Sequence, residues 1–302
     1  MEVLGEAVKR FLEAKKAGLR SRATIAKYAD ILQAFAKHVS EDKTLEEVTA
    51  GDIRGFLVEK REQGLKPSSL DTYYRTFQAF WNWAVREYNL RANPMSRVEK
   101  PHIPKKMPPR LSEEEMCMLL KAVNASKNPK RDRAILLLLL DNGIRAGELV
   151  SLRVKDVDFE NHILRVMGKD REERVVPIGD ITARALREYL GGRIGDPDAP
   201  LFLSTRTGKA LTVSGLRQLI KRLAKAAGIK RSVYPHLIRH TFAYIWMKEG
   251  GSLEKLRQIM GHSRLETTSI YAKALQEDVE EEHRKLCPAE KIARKAVQLS
   301  FW

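Results

Sequence analysis

The chain has 302 residues, enough for two domains that each bury a hydrophobic core. Lysine and arginine total 55 against 39 aspartate and glutamate, a formal charge of +16 that points to an anionic partner without naming it. Only Cys117 and Cys287 are present, which excludes a disulfide framework and a four-cysteine zinc site.

Val3, Leu4, Ala7, Val8, Phe11 and Leu12 recur at helical spacing, and Gly18 stops the pattern. Ser21 can cap a second helix whose Ile25, Tyr28, Leu32 and Phe35 share a face. Thr49 and Asp52 resemble a capping box for a helix running towards Gly64. Ser68 or Ser69 opens a fourth, striped by Tyr73, Tyr74, Phe77, Phe80, Trp81 and Val85 and ended before Asn93-Pro94. At this spacing the aromatics read as core rather than as platforms for stacked bases. Residues 1–97 are therefore expected to form a small helical bundle.

Pro101, Pro104, Pro108 and Pro109 forbid regular structure over 98–109, which reads as an interdomain linker with Lys100, Lys105 and Lys106 adding charge. Ser112 and Glu115 form a second capping-box pattern at the start of a domain spanning 110–302. A helix is expected over Asp132 to Leu140, ending at Asn142-Gly143, with a new helical stretch near Ala146. Ile163 to Met167 and Arg174 to Ile178 are β-prone runs around a polar turn, a hairpin by pattern, with further short strands expected at Leu201 to Leu203 and around Gly208. From Ser214 onwards Gly228, Gly250-Gly251 and Gly261 separate helices. The expected class is mainly α with a small antiparallel β-sheet.

Residues 1–100 hold 18 basic and 14 acidic side chains, so most of the positive charge lies in the second two-thirds. Lys221, Arg222, Lys225, Lys230, Arg231 and Arg239 fall in a stretch without an acid, as either a phosphate-facing surface or a merely solvated one requires. The opening Met1 to Arg10 lacks the apolar core of a signal peptide, so none is expected. The longest apolar run, Ala134 to Leu140, is far below the roughly 20 residues of a membrane span, so a cytoplasmic location is expected.

Five pieces carry candidate chemistry. Arg145 follows Asn142-Gly143-Ile144 at a helix junction, where its fork of donors can meet a phosphate or an ordinary carboxylate. Lys169 sits in the hairpin turn, where most lysines are simply solvated. His236, Arg239 and His240 lie at spacings that put His236 on one helical face with both others. His262 follows Met260-Gly261 on a turn, and Tyr271 lies nine residues further on. Taken singly, Arg145, Lys169 and Tyr271 are better explained by structure than by function, and the His236 segment is explained equally well by either.

The order is less ordinary than its parts. Arg145, Lys169, His236-x-x-Arg239-His240, Gly261-His262 and Tyr271 resemble the catalytic set of the tyrosine recombinase (phage integrase) family, including its Xer-like site-specific recombinases. Asn142 to Leu149 is similar to the family's first arginine motif, with Glu148 at its acidic position, and Gly168-Lys169 followed by Arg174-x-Val-Pro177 is similar to its lysine hairpin. Asn142 and Ile238 stand where Thr and Leu are common, and Asp170 where Gly is frequent. The resemblance implies a SAM-like core-binding bundle followed by a mixed α/β catalytic domain.

It also implies roles. Tyr271 would attack phosphorus and hold the DNA as a 3′-phosphotyrosine; Arg145 and Arg239 would grip the non-bridging oxygens; His236 and His262 would bond the same phosphate; Lys169 would protonate the departing 5′-oxygen. No cofactor and no metal is expected. Partners would be double-stranded DNA with specific core sites and further copies of the chain, a tetramer on synapsed DNA joined through a C-terminal tail from about residue 275. No extra arm-binding domain is expected ahead of residue 1, which would favour a simple recombinase; the resemblance fits chromosome-dimer resolution and mobile-element integration or excision alike. Competing readings are a type IB topoisomerase-like activity, a catalytically silent DNA-binding accessory protein of the same fold, and a metal nuclease using His236, His240 and His262.

Overall fold

A computed structural model of the chain describes residues 2–19, 21–103, 108–168, 173–191, 193 and 196–261. The chain divides into two compact units, 1–106 and 107–302. Among the described residues no helix is long and apolar enough to cross a membrane.

The first unit holds α1 (Leu4–Ala17), α2 (Arg22–Val39), α3 (Ala50–Glu62) and α4 (Pro67–Glu87). Ser21 caps α2 by accepting from the Thr24 N–H at 3.2 Å. Thr49 and Asp52 cap α3 reciprocally, with the Thr49 N–H donating to the Asp52 carboxylate at 2.7 Å. Helix α4 starts at Pro67, ahead of the serines expected to open it, because proline at the first helical position needs no N–H partner. Its aromatic stripe is the core: Phe80 meets Phe11 edge-on at 5.5 Å, and Phe77 lies 4.9 Å from Phe35. Met95 and Val98 are buried in the same core, so its packing continues one residue beyond the bundle boundary expected at 97.

The second unit is built around α6 (Pro129–Asn142), whose Ala134, Ile135, Leu136, Leu138 and Leu139 are fully buried. It begins a turn earlier than expected, because Asn128 caps it and Pro129 takes the first position. Before it lies α5 (Glu113–Ala122), opened by the Ser112 and Glu115 capping box. After it come α7 (Ala146–Ser151) and an antiparallel sheet of β1 (Val157–Asp158), β2 (Ile163–Met167) and β3 (Glu173–Pro177) in that order. Leu164 pairs with Val176, and Val166 with Arg174; Leu164, Val166 and Val176 face the core. The expected hairpin is present, and β1 extends it by a strand too short to leave a pattern.

Among the described residues of the unit, four further helices follow: α8 (Asp180–Leu190), α9 (Val213–Ala226), α10 (Pro235–Lys248) and α11 (Leu253–Met260). Helix α8 was not among the expected elements. The strands expected at Leu201 to Leu203 and around Gly208 are not formed. A single bridge joins Leu203 to Ala210, and Leu201 and Phe202 are buried as loop residues, with the Leu201 N–H donating to the Leu152 carbonyl at 2.8 Å. Burial, not strand pairing, explains that apolar run.

Candidate active site

Helix α6 ends at Gly143 in the left-handed region, φ 57°, and a Cβ there would stand 2.5 Å from Cδ1 of Phe242 on α10. The close approach brings α10 against the turn that carries Arg145. Arg145 immediately precedes α7. Its N–H donates to Glu148 Oε2 at 2.9 Å, its Nη1 to Glu148 Oε1 at 2.7 Å, and its Nη2 to the Gly261 carbonyl at 2.7 Å. Arg239 on α10 donates through Nη1 to the Gly143 carbonyl and through Nη2 to the Met260 carbonyl at 2.8 Å.

A third guanidinium joins them. Arg174 on β3 donates from Nη1 to Glu148 Oε1 at 2.9 Å, from Nη2 to Glu148 Oε2 at 2.8 Å, and from Nε to the Ile259 carbonyl at 3.0 Å. Three consecutive carbonyls at the end of α11, those of residues 259, 260 and 261, therefore each accept from a different arginine. A helix C-terminus leaves such carbonyls without helical partners and carries partial negative charge, so cations settle there. Gly261 caps α11 in the left-handed region, φ 62°.

Glu148 is buried, and burial by itself would raise its pKa. The hydrogen bonds from Arg174 and Arg145 outweigh that effect and hold the carboxyl at about 2. Two guanidiniums thus share one carboxylate, which among the described residues leaves them one positive charge in excess. Arg145 has 38% of its side chain exposed, whereas Arg239 is 1% exposed. The acid-free stretch from Lys221 therefore splits: Lys221, Arg222, Lys225, Lys230 and Arg231 are exposed and Arg239 is interior.

His236 and His240 lie one turn apart on α10, with ring centroids 4.4 Å apart and edge-on. Burial, and then the cations of Arg239 and Arg145, lower the pKa of His236; burial, His236 and Arg239 bring that of His240 to about 4. These shifts favour the neutral form of each ring, which can still donate a hydrogen bond without carrying charge. Among the described residues no group of three or more His, Cys, Asp or Glu side chains is placed to hold a metal ion.

Of the six residues expected from sequence, Arg145, His236 and Arg239 are brought together here. Lys169, His262 and Tyr271 lie outside the described residues, as does the tail from about 275. The sequence marks Arg174 only as part of a motif and gives no sign of its bonds to Glu148 and Ile259. A signal existed: strand alternation places Arg174 on the core-facing side with Val176, an unusual position for an arginine.

A mostly helical unit that gathers guanidiniums and imidazoles around one helix end has donors of the type that phosphoryl-transfer sites use to hold an anion. Residues 109–278 match the model of the phage integrase family, and residues 8–88 match that family's N-terminal SAM-like domain. The chain belongs to the phage integrase family and is an enzyme of the tyrosine recombinase class. It is 34% identical over 273 residues to the tyrosine recombinase XerC of Chromobacterium violaceum, covering 89% of this chain and 90% of that protein. It is 30% identical to the XerC of Leptospira interrogans over 95% of this chain and 94% of that one. Among solved structures, XerA recombinase is 30% identical with a TM-score of 0.52, covering 92% of this chain and 98% of that chain. The Tn1549 transposon integrase shares the fold at 21% identity and a TM-score of 0.77, over 95% of this chain and 100% of that chain.

Proposed function

We propose that this recombinase cuts and rejoins duplex DNA at specific core sites by transesterification, with Tyr271 as the nucleophile. The phenolic oxygen of Tyr271 forms a bond to phosphorus as the bond from phosphorus to the 5′-oxygen breaks. The phenol proton leaves to solvent, and the ammonium of Lys169 supplies a proton to the departing 5′-oxygen. The attached strand is a 3′-phosphotyrosine, and attack by a 5′-hydroxyl reverses the step, so the phosphodiester energy is kept and no nucleotide is consumed.

Arg145 and Arg239 grip the non-bridging oxygens as charge develops, an interaction worth roughly 3–4 kcal/mol per donor in comparable sites. His236 and His262 add hydrogen-bond donors to the same phosphate. The observation that carries this reading is the convergence of Arg145 and Arg239, from separate segments, on adjacent carbonyls of α11 with His236 beside them. Residues 1–97 act as the core-binding part, 98–109 as the linker and 110–302 as the catalytic part. Copies assemble as a tetramer on synapsed DNA, each tail from about residue 275 packing on a neighbour. Relatives named XerC favour chromosome-dimer resolution over mobile-element movement.

The test is a nicked suicide duplex carrying candidate sites, followed by denaturing electrophoresis. A covalent protein–DNA adduct is expected from the natural chain and none from Tyr271→Phe. An adduct that persists in Tyr271→Phe overturns the nucleophile assignment. Truncation after Lys273 is expected to abolish synapsis, and unchanged synapsis would remove the role of the tail.

A further inference from the structure

We propose that Arg174 is a positioning residue for the reaction: it holds Glu148 so that Arg145 keeps donors free for the scissile phosphate. The proposal rests on the reading of Arg145 as a phosphate clamp.

A guanidinium has five N–H donors. Arg145 commits one to Glu148 and one to the Gly261 carbonyl, leaving three in hand on a side chain that is 38% exposed. Arg174 commits Nε, Nη1 and Nη2 inward and is only 15% exposed, so it is not a second clamp. Its two bonds to Glu148 run fork to fork, which fixes the plane of the carboxylate as a single hydrogen bond does not. Without that fork, the Glu148 carboxylate would be held only by the N–H and Nη1 of Arg145, and it could turn about those two bonds to take a bidentate pair from the Arg145 guanidinium. Arg145 would then spend a further donor on its own neighbour and rotate away from the orientation that leaves it open.

Two more contacts fix Arg174 from the other side. Its Nε bond to the Ile259 carbonyl ties it to the end of α11. The turn at Gly261 also lies against it closely enough that a Cβ there would stand 3.0 Å from the guanidinium carbon. Arg174 therefore fits between the end of α11 and the first turn of α7, with its fork directed at Glu148. Lysine keeps the charge in this place but offers neither the planar fork nor the three-way reach.

The experiment uses the full chain in single-turnover cleavage of the suicide duplex, with Arg174→Gln, Arg145→Lys and the double variant. Arg174→Gln is expected to slow cleavage about 10- to 100-fold while duplex affinity stays within about threefold, and to add less than about threefold in the Arg145→Lys background. The defect of Arg174→Gln should also shrink when the scissile phosphate is a methylphosphonate, which lacks the charge that Arg145 grips. Arg174→Lys should fall between natural and Gln; if Arg174→Gln does not fold, Arg174→Lys carries the same comparison. A full multiplicative loss in the double variant overturns the proposal, and so does rescue of Arg174→Gln by a 5′-bridging phosphorothiolate, whose leaving group needs no proton. Natural cleavage by Arg145→Lys alone would overturn the clamp assignment and this proposal together, and that outcome is recognisable without any Arg174 variant.

Discussion

Replacing Gly143 with alanine tests whether the close approach of α10 to the end of α6 sets the active site. The residue sits at φ 57°, where a side chain costs about 1–2 kcal/mol. The new Cβ would also stand 2.5 Å from Phe242 Cδ1, and accommodating one extra carbon in a packed site costs about 1–3 kcal/mol more. Together the loss is about 2–5 kcal/mol. At about 2–4 °C per kcal/mol for a unit of this size, the unfolding midpoint should fall by about 4–20 °C. Calorimetry of the natural chain, Gly143→Ala, Phe242→Leu and the double variant separates the two causes, because shrinking the ring relieves the overlap and leaves the backbone strain. The double variant should be less destabilised than additivity requires by at least about 1 kcal/mol. Because the Gly143 carbonyl accepts from Arg239, cleavage by Gly143→Ala should fall even at temperatures where the variant is folded. A variant within about 0.5 kcal/mol of the natural chain, or strictly additive with Phe242→Leu, would refute the reasoning.

Thr241 accepts from the Leu111 N–H at 2.9 Å and donates to the Leu237 carbonyl in a fully buried place, so Thr241→Val should cost about 1–3 kcal/mol in chemical denaturation and Thr241→Ser much less. Acid should destabilise the chain in two stages. Below pH 6.5 the unfolded chain protonates the residue-240 imidazole while the folded one, at about 4, does not; below pH 4.5 the same holds for Glu148, held at about 2. The stability from Glu148, about 3 kcal/mol, is fully present above pH 4.5 and lost as pH falls towards 2. Urea titrations across pH should show the lower stage vanish in Glu148→Gln. Cleavage should proceed at an unchanged rate in excess chelator, and a chelator-dependent rate would return the metal-nuclease reading. Lys169→Ala should be slow on a natural duplex and restored by a 5′-bridging phosphorothiolate.

Local chemistry made most of the fold legible. The caps at Ser21, Thr49 and Ser112 and the aromatic stripe of α4 declare themselves within a few residues. Helix α8 does not, because its buried face mixes Thr182, Ala183 and Ala185 with only two leucines, and the glycine before it makes no side-chain cap. Strand β1 is two residues long and exists only through its partner β2. In the site, the order of reactive side chains could be read along the chain. The burial of Arg239 could not: its guanidinium tolerates the interior because carbonyls from Gly143 and Met260 reach it, and neither is near it in sequence. The part played by Arg174 likewise depends on which strand phase meets which helix end.

The end of α11 serves three arginines at once, and that sharing has a mechanical consequence. Their relative placement is referred to a single common anchor, so a small slide of α11 along its axis would displace the three together in the same direction. Errors at this point are correlated and cannot average out. A substitution that shifts α11 should therefore impair every arginine in the group in parallel, whereas damage to one guanidinium leaves the anchor for the other two intact.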